Sequence, residues 1–193
     1  IINSYKDNRI IYYRNPKNLG LAGALNVGLG LINSKYIIRM DGDDISVPER
    51  FKLLVEYMEA NAEIGVLSSA LVRFGKIEEH WSFPEKDAEI KALLLFGPSI
   101  AHAPCIIRTE VLKSKGIEYR DIHLHMEDYD LWLRLQGLTN FANLPLILYR
   151  YRLVENSITI SNLDTLLERR KKIYNWLLNN FGIFPSDEEL IMH

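Results

Sequence analysis

At 193 residues, with 48% hydrophobic and 25% charged side chains, the chain is long enough for one substantial domain with a buried core and has ordinary globular composition. A formal net charge of -2 supplies no basic field of the kind nucleic-acid binding needs. A single cysteine, Cys105, excludes an intramolecular disulfide, permits a cytosolic location and reads as a buried core residue.

No stretch approaches the ~20 apolar residues of a membrane span, and the opening IINSYKDNRIIYY has no signal-peptide layout. The chain lacks an initiator Met and opens directly into strand-like sequence, which predicts a fragment whose N-terminal part is absent. Arg9 to Arg14, rich in Ile and Tyr, predicts a short strand, closed by the turn-forming Asn15-Pro16-Lys17-Asn18. A helix follows from Gly20 to Asn33. Its apolar Leu21, Leu25, Leu29 and Ile32 recur at helical spacing, whereas Gly20, Gly23, Gly28 and Gly30 weaken helicity and point to close packing or a nearby ligand. Tyr36 to Met40 is a continuous apolar strand broken only by Arg39. It ends in Asp41-Gly42-Asp43-Asp44, where open α/β sheets place their ligands.

Ser46-Val47-Pro48-Glu49 predicts the next helix start, with a capping serine and an early proline, and Phe51, Leu54, Val55 and Met58 form its apolar stripe. Then come a strand from Ile64 to Phe74, a helix from Asp87 to Phe96, and a strand from Ala103 to Arg108 leading into a helix capped by Thr109. Met126 to Leu135 predicts a further helix, Phe141 to Tyr151 a strand, and Leu163 to Phe181 a long amphipathic helix. That helix carries Glu168-Arg169-Arg170-Lys171-Lys172, which reads as a solvated face or as a lean on anionic lipid. Alternating β and α elements imply an α/β fold with a mixed, mostly parallel sheet covered by helices on both faces. The expected organisation is one domain over residues 1–160, with the helix and tail of 161–193 packed on it.

Crowded carboxylates repel one another, so the acidic cluster is easiest to understand around a divalent cation. Asp-Gly-Asp is also turn chemistry, and the residues alone leave both readings open. An EF-hand is excluded, because counting from Asp41 the fifth position is Ile45 and the twelfth is Lys52, where a bidentate Glu is needed. A haloacid-dehalogenase-like phosphatase shares the apolar strand ending in Asp-x-Asp but would continue Gly-Thr, not Asp44-Ile45-Ser46. Glu127 and Asp128 open a helix, a placement the helix dipole favours by itself. His102 reads equally as a structural histidine and as one that reaches acceptor or diphosphate. In the Asp121–His125 loop, His123 and His125 have no cysteine or third histidine nearby to complete a zinc site, and an exposed acceptor-side loop is the better reading.

NLGLAGALNVGL (Asn18 to Leu29), YIIRMDGDD and MEDYDLWLRL (Met126 to Leu135), in this order, resemble family 2 glycosyltransferases of the GT-A fold, over about Arg9 to Thr159. The resemblance implies Mn²⁺ or Mg²⁺ held against the diphosphate of a nucleotide-sugar, most simply a UDP-sugar. It makes Asp43 the direct metal ligand, Asp41 a contact to the ribose or to the metal and its water shell, and Asp44 their support. It implies that Asp128 is the general base of an inverting transfer, with Glu127 beside it. Leu131, Trp132 and Leu135 are core packing, Trp132 touching the acceptor side. Asn18, Gly20 and Asn26 match a stretch whose small residues let a helix approach the nucleotide pocket, by packing or by direct contact.

Two departures from the family pattern stand out. Relatives often carry Tyr-Arg-x-His after the last strand, and here Val154 takes the histidine's place, so its contact falls to Arg150 or Arg152. The family's first βαβ unit, which binds nucleobase and ribose, should precede Ile1, and without it little or no sugar transfer is expected. The implied partners are a nucleotide-diphospho-sugar and a glycan or lipid-linked acceptor in bacterial surface-polysaccharide synthesis. The implied location is cytoplasmic, with peripheral contact at the inner face of the membrane. A GT-A scaffold without turnover is the alternative.

Overall fold

Ile64–Phe74, buried without interruption through Val72, forms the central strand of a six-stranded sheet. A strand buried on both faces reads as a continuous hydrophobic run, as this one does. The computed structural model describes residues 2–75, 77–120, 126–153 and 163–192. Its strands are β1 (Tyr36–Ile38), β2 (Ile45–Ser46), β3 (Ile64–Phe74), β4 (Glu79–Trp81), β5 (Ile106–Arg108) and β6 (Asn140–Arg152). The helices are α1 (Gly20–Leu31), α2 (Arg50–Ala60), α3 (Asp87–Leu93), α4 (Thr109–Lys113), α5 (Glu127–Leu135), α6 (Leu163–Asn180) and α7 (Asp187–Met192). The sheet order is β1-β5-β3-β6-β2, with β4 paired to β3.

Alternate residues of the strands serve opposite faces, as strand geometry requires. Val66, Ile107 and Phe141 join α1, α3, α5 and α6 in the larger core, centred on Trp132, Tyr129 and Leu131. Their neighbours Leu67, Ile106 and Ala142 pack with Leu54 and Met58 of α2 on the other face. Ile173, Tyr174 and Leu177 of α6 lie within the larger core. The helices thus cover both faces of a mixed sheet, as expected, but parallel pairing does not dominate. Only β3 and β6 run parallel, in the longest pairing, and the other pairings are antiparallel. Hydrophobic periodicity identifies a strand and not its direction. Here β4 pairs back on β3, and β2 and β5 are short segments laid against longer neighbours.

Local boundaries also shift. Residues 9–14 form no strand; Ile11 is 81% exposed, and no described strand pairs with them, so the extended conformation has no ladder to stabilise it. Ser46 does not cap α2. It pairs with Tyr149 in β2, and the Val47 N–H donates to Leu148 O, which delays the helix to Arg50. Thr109 opens α4 instead of capping it, and its hydroxyl is buried without a partner. The strand predicted from Ala103 begins at Ile106, because a turn closed by Cys105 N–H to His102 O precedes it. The Asp121–His125 loop and Val154 lie outside the described residues.

The junction of α2 with the sheet is held by Arg108, which is 7% exposed. Its Nε donates to Ile64 O (2.8 Å), its Nη1 to Tyr36 Oη (3.0 Å), and its Nη2 to Met58 O and Asn61 O. A cation at a helix C-terminus satisfies carbonyls that the helix leaves orphaned and complements its dipole. Arg108→Met is expected to cost about 3 kcal/mol, since several charge-assisted bonds vanish and leave buried carbonyls unpaired. Urea unfolding should show a lower midpoint at an unchanged slope.

Candidate active site

The acidic loop leaves β1 at the sheet edge and returns as β2, and the structure treats its three carboxylates differently. Asp41 is held by Arg39 in a two-pronged pair, with Nη2 to Oδ1 at 2.6 Å and Nη1 to Oδ2 at 2.7 Å. This is the geometry in which guanidinium and carboxylate bind best. The backbone N–H of Asp41 donates to Tyr149 Oη at 3.0 Å. Asp44 accepts the backbone N–H of Arg152 at 2.7 Å, and burial pushes its carboxyl above the usual carboxylate range. Asp43 is exposed. Its carbonyl accepts Arg152 Nε at 2.7 Å, while its carboxylate has no hydrogen bond or ion pair among the described residues.

Two of the three acids are therefore fixed and one is presented. Among the described residues no three His, Cys, Asp or Glu side chains converge on a ready-made metal site. A hard divalent cation nevertheless suits this loop, because Mg²⁺-type ions are commonly held by one or two carboxylates together with substrate phosphates and water. Asp43 offers such oxygens directly, and Asp41 lies beside it.

The second acidic group sits on the first turn of α5. Asp130, 1% exposed, is clamped between Arg120 and Arg134 and is thereby neutralised. Asp128 has no such clamp. Its Oδ1 accepts the N–H of Tyr129 at 2.7 Å, yet withdrawal from water, reinforced by neighbouring Glu127, raises its carboxyl to about 6. Arg39 acts against that rise, so one guanidinium is paired with Asp41 and also felt by Asp128. A carboxyl poised near neutral pH and open to a proton is what general base chemistry requires.

The remaining expected site residues divide into supports and core. Asn26 accepts the N–H of Tyr119 and donates to its carbonyl, both at 2.8 Å, tying α1 to the segment before α5. Tyr119 Oη meets His102 Nε2 at 2.8 Å. His102 is 7% exposed, and burial, with Arg39 nearby, holds it well below its ordinary value. Its burial and its hydrogen bond to Tyr119 hold it inside the fold. Trp132 is fully enclosed, edge-on to His102 and Phe141, the core packing expected of it. Asn18 Oδ1 accepts the N–H of Gly20 at 2.9 Å, an Asx turn that leads into α1 with Gly20 at φ +68°, where glycine is favoured. Glu127 is buried beside Asp128, at 8% exposure. Cys105 is buried, and burial pushes its thiol up to about 12, which makes it inert.

Arg39, Arg50 and Tyr149 also shape the site, and nothing in the sequence singles out their roles. The one signal was the presence of Arg39 inside an otherwise apolar strand.

A family model described as glycosyl transferase family 2 matches residues 1–125. The chain belongs to that family. Family relatives include the amylovoran biosynthesis glycosyltransferase AmsE of Erwinia amylovora, 37% identical over 142 residues, 70% of this chain and 52% of the relative. An uncharacterized glycosyltransferase of Haemophilus influenzae is 31% identical over 192 residues, 92% of this chain and 59% of the relative. The UDP-Gal:alpha-D-GlcNAc-diphosphoundecaprenol beta-1,3-galactosyltransferase of Escherichia coli is 31% identical over 134 residues, 66% of this chain and 46% of the relative. The chain thus spans about half the length of these relatives. Among solved structures, S. aureus TarS 1-349 in complex with UDP-GlcNAc superposes with a TM-score of 0.63 at 18% identity, over 89% of this chain and 50% of that 1-349 chain. That likeness establishes the GT-A fold for this family member.

Proposed function

We propose that this chain belongs to an inverting glycosyltransferase that uses a nucleotide-diphosphate sugar, most simply a UDP-sugar, to extend a surface glycan on a glycan or lipid-linked acceptor. The observation that carries the reading is the division of the acidic loop, in which Asp41 and Asp44 are held while Asp43 is offered unpaired. Mn²⁺ or Mg²⁺ would be held by Asp43, with Asp41 beside it, and supplies Lewis-acid stabilisation of charge on the departing diphosphate. Arg152 supports the same oxygens. Its Nε is fixed on Asp43 O and its guanidinium lies 4.6 Å from the Phe74 ring centre, while its Nη groups have no partner among the described residues.

On the acceptor side, Asp128 takes the proton of the attacking hydroxyl. The hydroxyl oxygen bonds to the anomeric carbon as the bond to the diphosphate oxygen breaks, so the nucleoside diphosphate departs with the electron pair and the anomeric centre inverts. One carboxylate suffices, in contrast to the two of a hydrolase. Relatives named for amylovoran biosynthesis and for a diphosphoundecaprenol-linked acceptor support a surface-glycan role, and peripheral contact with the membrane belongs to the same proposal. A phosphatase using Asp41 as nucleophile finds no support, because both of its carboxylate oxygens are tied to Arg39.

Calorimetric titration of UDP into the full-length protein, with and without Mn²⁺, tests the reading. Binding is expected only with the metal, and Arg152→Ala should weaken it about tenfold through loss of one charge-assisted contact. Equal binding with and without Mn²⁺ would sink the metal-diphosphate assignment.

A further inference from the structure

Arg50, the first residue of α2, is completely buried, and none of the ion pairs of the described residues includes it. A buried arginine normally needs a carboxylate, because desolvating a charge is costly. Its Nη2 instead donates to two carbonyls, Arg39 O at 2.6 Å and Ala103 O at 3.0 Å. Its guanidinium also lies 4.7 Å from the ring centre of fully buried Tyr149, a cation–π contact strengthened by desolvation. Nε and Nη1 are left without partners.

These contacts converge on one place. Arg39 O ends the run that enters the acidic loop, and Arg39 N–H donates to Cys105 O. Ala103 O belongs to the turn that carries His102. Tyr149, against which the guanidinium rests, accepts the N–H of Asp41. Arg50 thus fixes the backbone before Asp41 through one bond and the backbone at Asp41 through the ring of Tyr149, and it ties both to the His102 turn. We infer that Arg50 is a positioning residue for the acidic loop, holding Asp41 to Asp44 in the arrangement that receives a cation and diphosphate, without touching either. Its unpaired donors show that packing alone does not account for it: a methionine of similar volume would fill the space with no orphaned N–H.

The inference rests on the proposed nucleotide-sugar site for its purpose, and its geometry can be tested without ligand. Amide hydrogen exchange of the full-length protein is the first readout, with Arg108→Met as a control that weakens the opposite end of α2. Arg50→Met is expected to speed exchange at Arg39 and Asp41 about tenfold, the worth of one charge-assisted bond. Arg108→Met should leave those amides close to wild type after correction for global stability. If Arg50→Met does not fold, Tyr149→Phe keeps the ring beneath the guanidinium and removes the hydroxyl that accepts the Asp41 N–H and also bonds the Asp44 carboxyl. It should speed Asp41 while Arg39 stays protected. Unchanged exchange at Asp41 in both variants, or equal acceleration in the Arg108 control, overturns the inference.

The second readout is UDP binding with Mn²⁺, expected to weaken about tenfold in Arg50→Met and to hold in Arg108→Met. Faster local exchange with wild-type affinity retained would overturn the positioning role. Faster local exchange in a protein whose wild type binds no nucleotide would leave the staple standing and remove the nucleotide-sugar reading instead.

Discussion

Asp128→Asn is expected to lower turnover by about 10³-fold, the usual worth of a positioned general base, while leaving Mn²⁺-dependent UDP affinity unchanged. The substitution keeps the acceptor for the Tyr129 N–H, so helix α5 retains its first turn and the loss isolates proton transfer. In the wild type, kcat/KM should fall about tenfold per pH unit below about 6, where the base becomes protonated. Above that value it should level off. Stability runs in the opposite direction. The folded carboxyl binds its proton more tightly than the unfolded one, so this group stabilises the fold at low pH, and that contribution is lost as pH rises from the unfolded value of 3.8 through about 6. The asparagine variant is therefore expected to unfold at a higher temperature than wild type at pH 7, the mark of a site that gives up stability for chemistry. A variant with full turnover, or one whose turnover and nucleotide affinity fall together, would remove Asp128 from the role of base.

Asp43→Ala carries the other large effect. The residue is exposed, and its carboxylate makes no hydrogen bond or ion pair among the described residues, so its loss should leave the melting temperature within the spread of ordinary surface substitutions. Metal-dependent UDP binding should nevertheless disappear, with turnover lower by about 10²-fold to 10³-fold, the cost of removing one stabiliser of developing charge. Asp41→Ala is expected to differ in kind. It strands the guanidinium of Arg39, whose side chain is only 12% exposed, and so it lowers stability together with affinity. Calorimetry and thermal melts on the same two proteins separate the presented carboxylate from the held one. Equal affinity in Asp43→Ala and wild type would move the cation elsewhere.

Several features of this protein were legible before any tertiary contact was known. The β3 boundaries at Ile64 and Phe74, the stripe Leu54–Met58 of α2 and the helix beginning at Glu127 follow from periodicity, a local property of the chain. The same is true of the chemistry at the ends of elements: acids crowded after an apolar strand, and an acid pair opening a helix. The strand predicted over residues 9–14 failed because a strand exists only with a neighbour, which periodicity does not supply. Trp132 likewise carries the same side chain in the core and at a surface, and only the packing of His102 and Phe141 around it decides that it is enclosed.

The composition of the acidic loop is thus a property of the sequence, whereas the division of labour within it is not. Asp41 differs from Asp43 through Tyr149, 108 positions away, and through a guanidinium that local spacing alone does not pair with it. Asp44 is withdrawn by the backbone of Arg152, equally distant along the chain. Which carboxylate stays free, and which carboxyl is lifted toward neutral pH, depends on desolvation and on hydrogen bonds between segments that meet only when the parallel β3–β6 pair has formed.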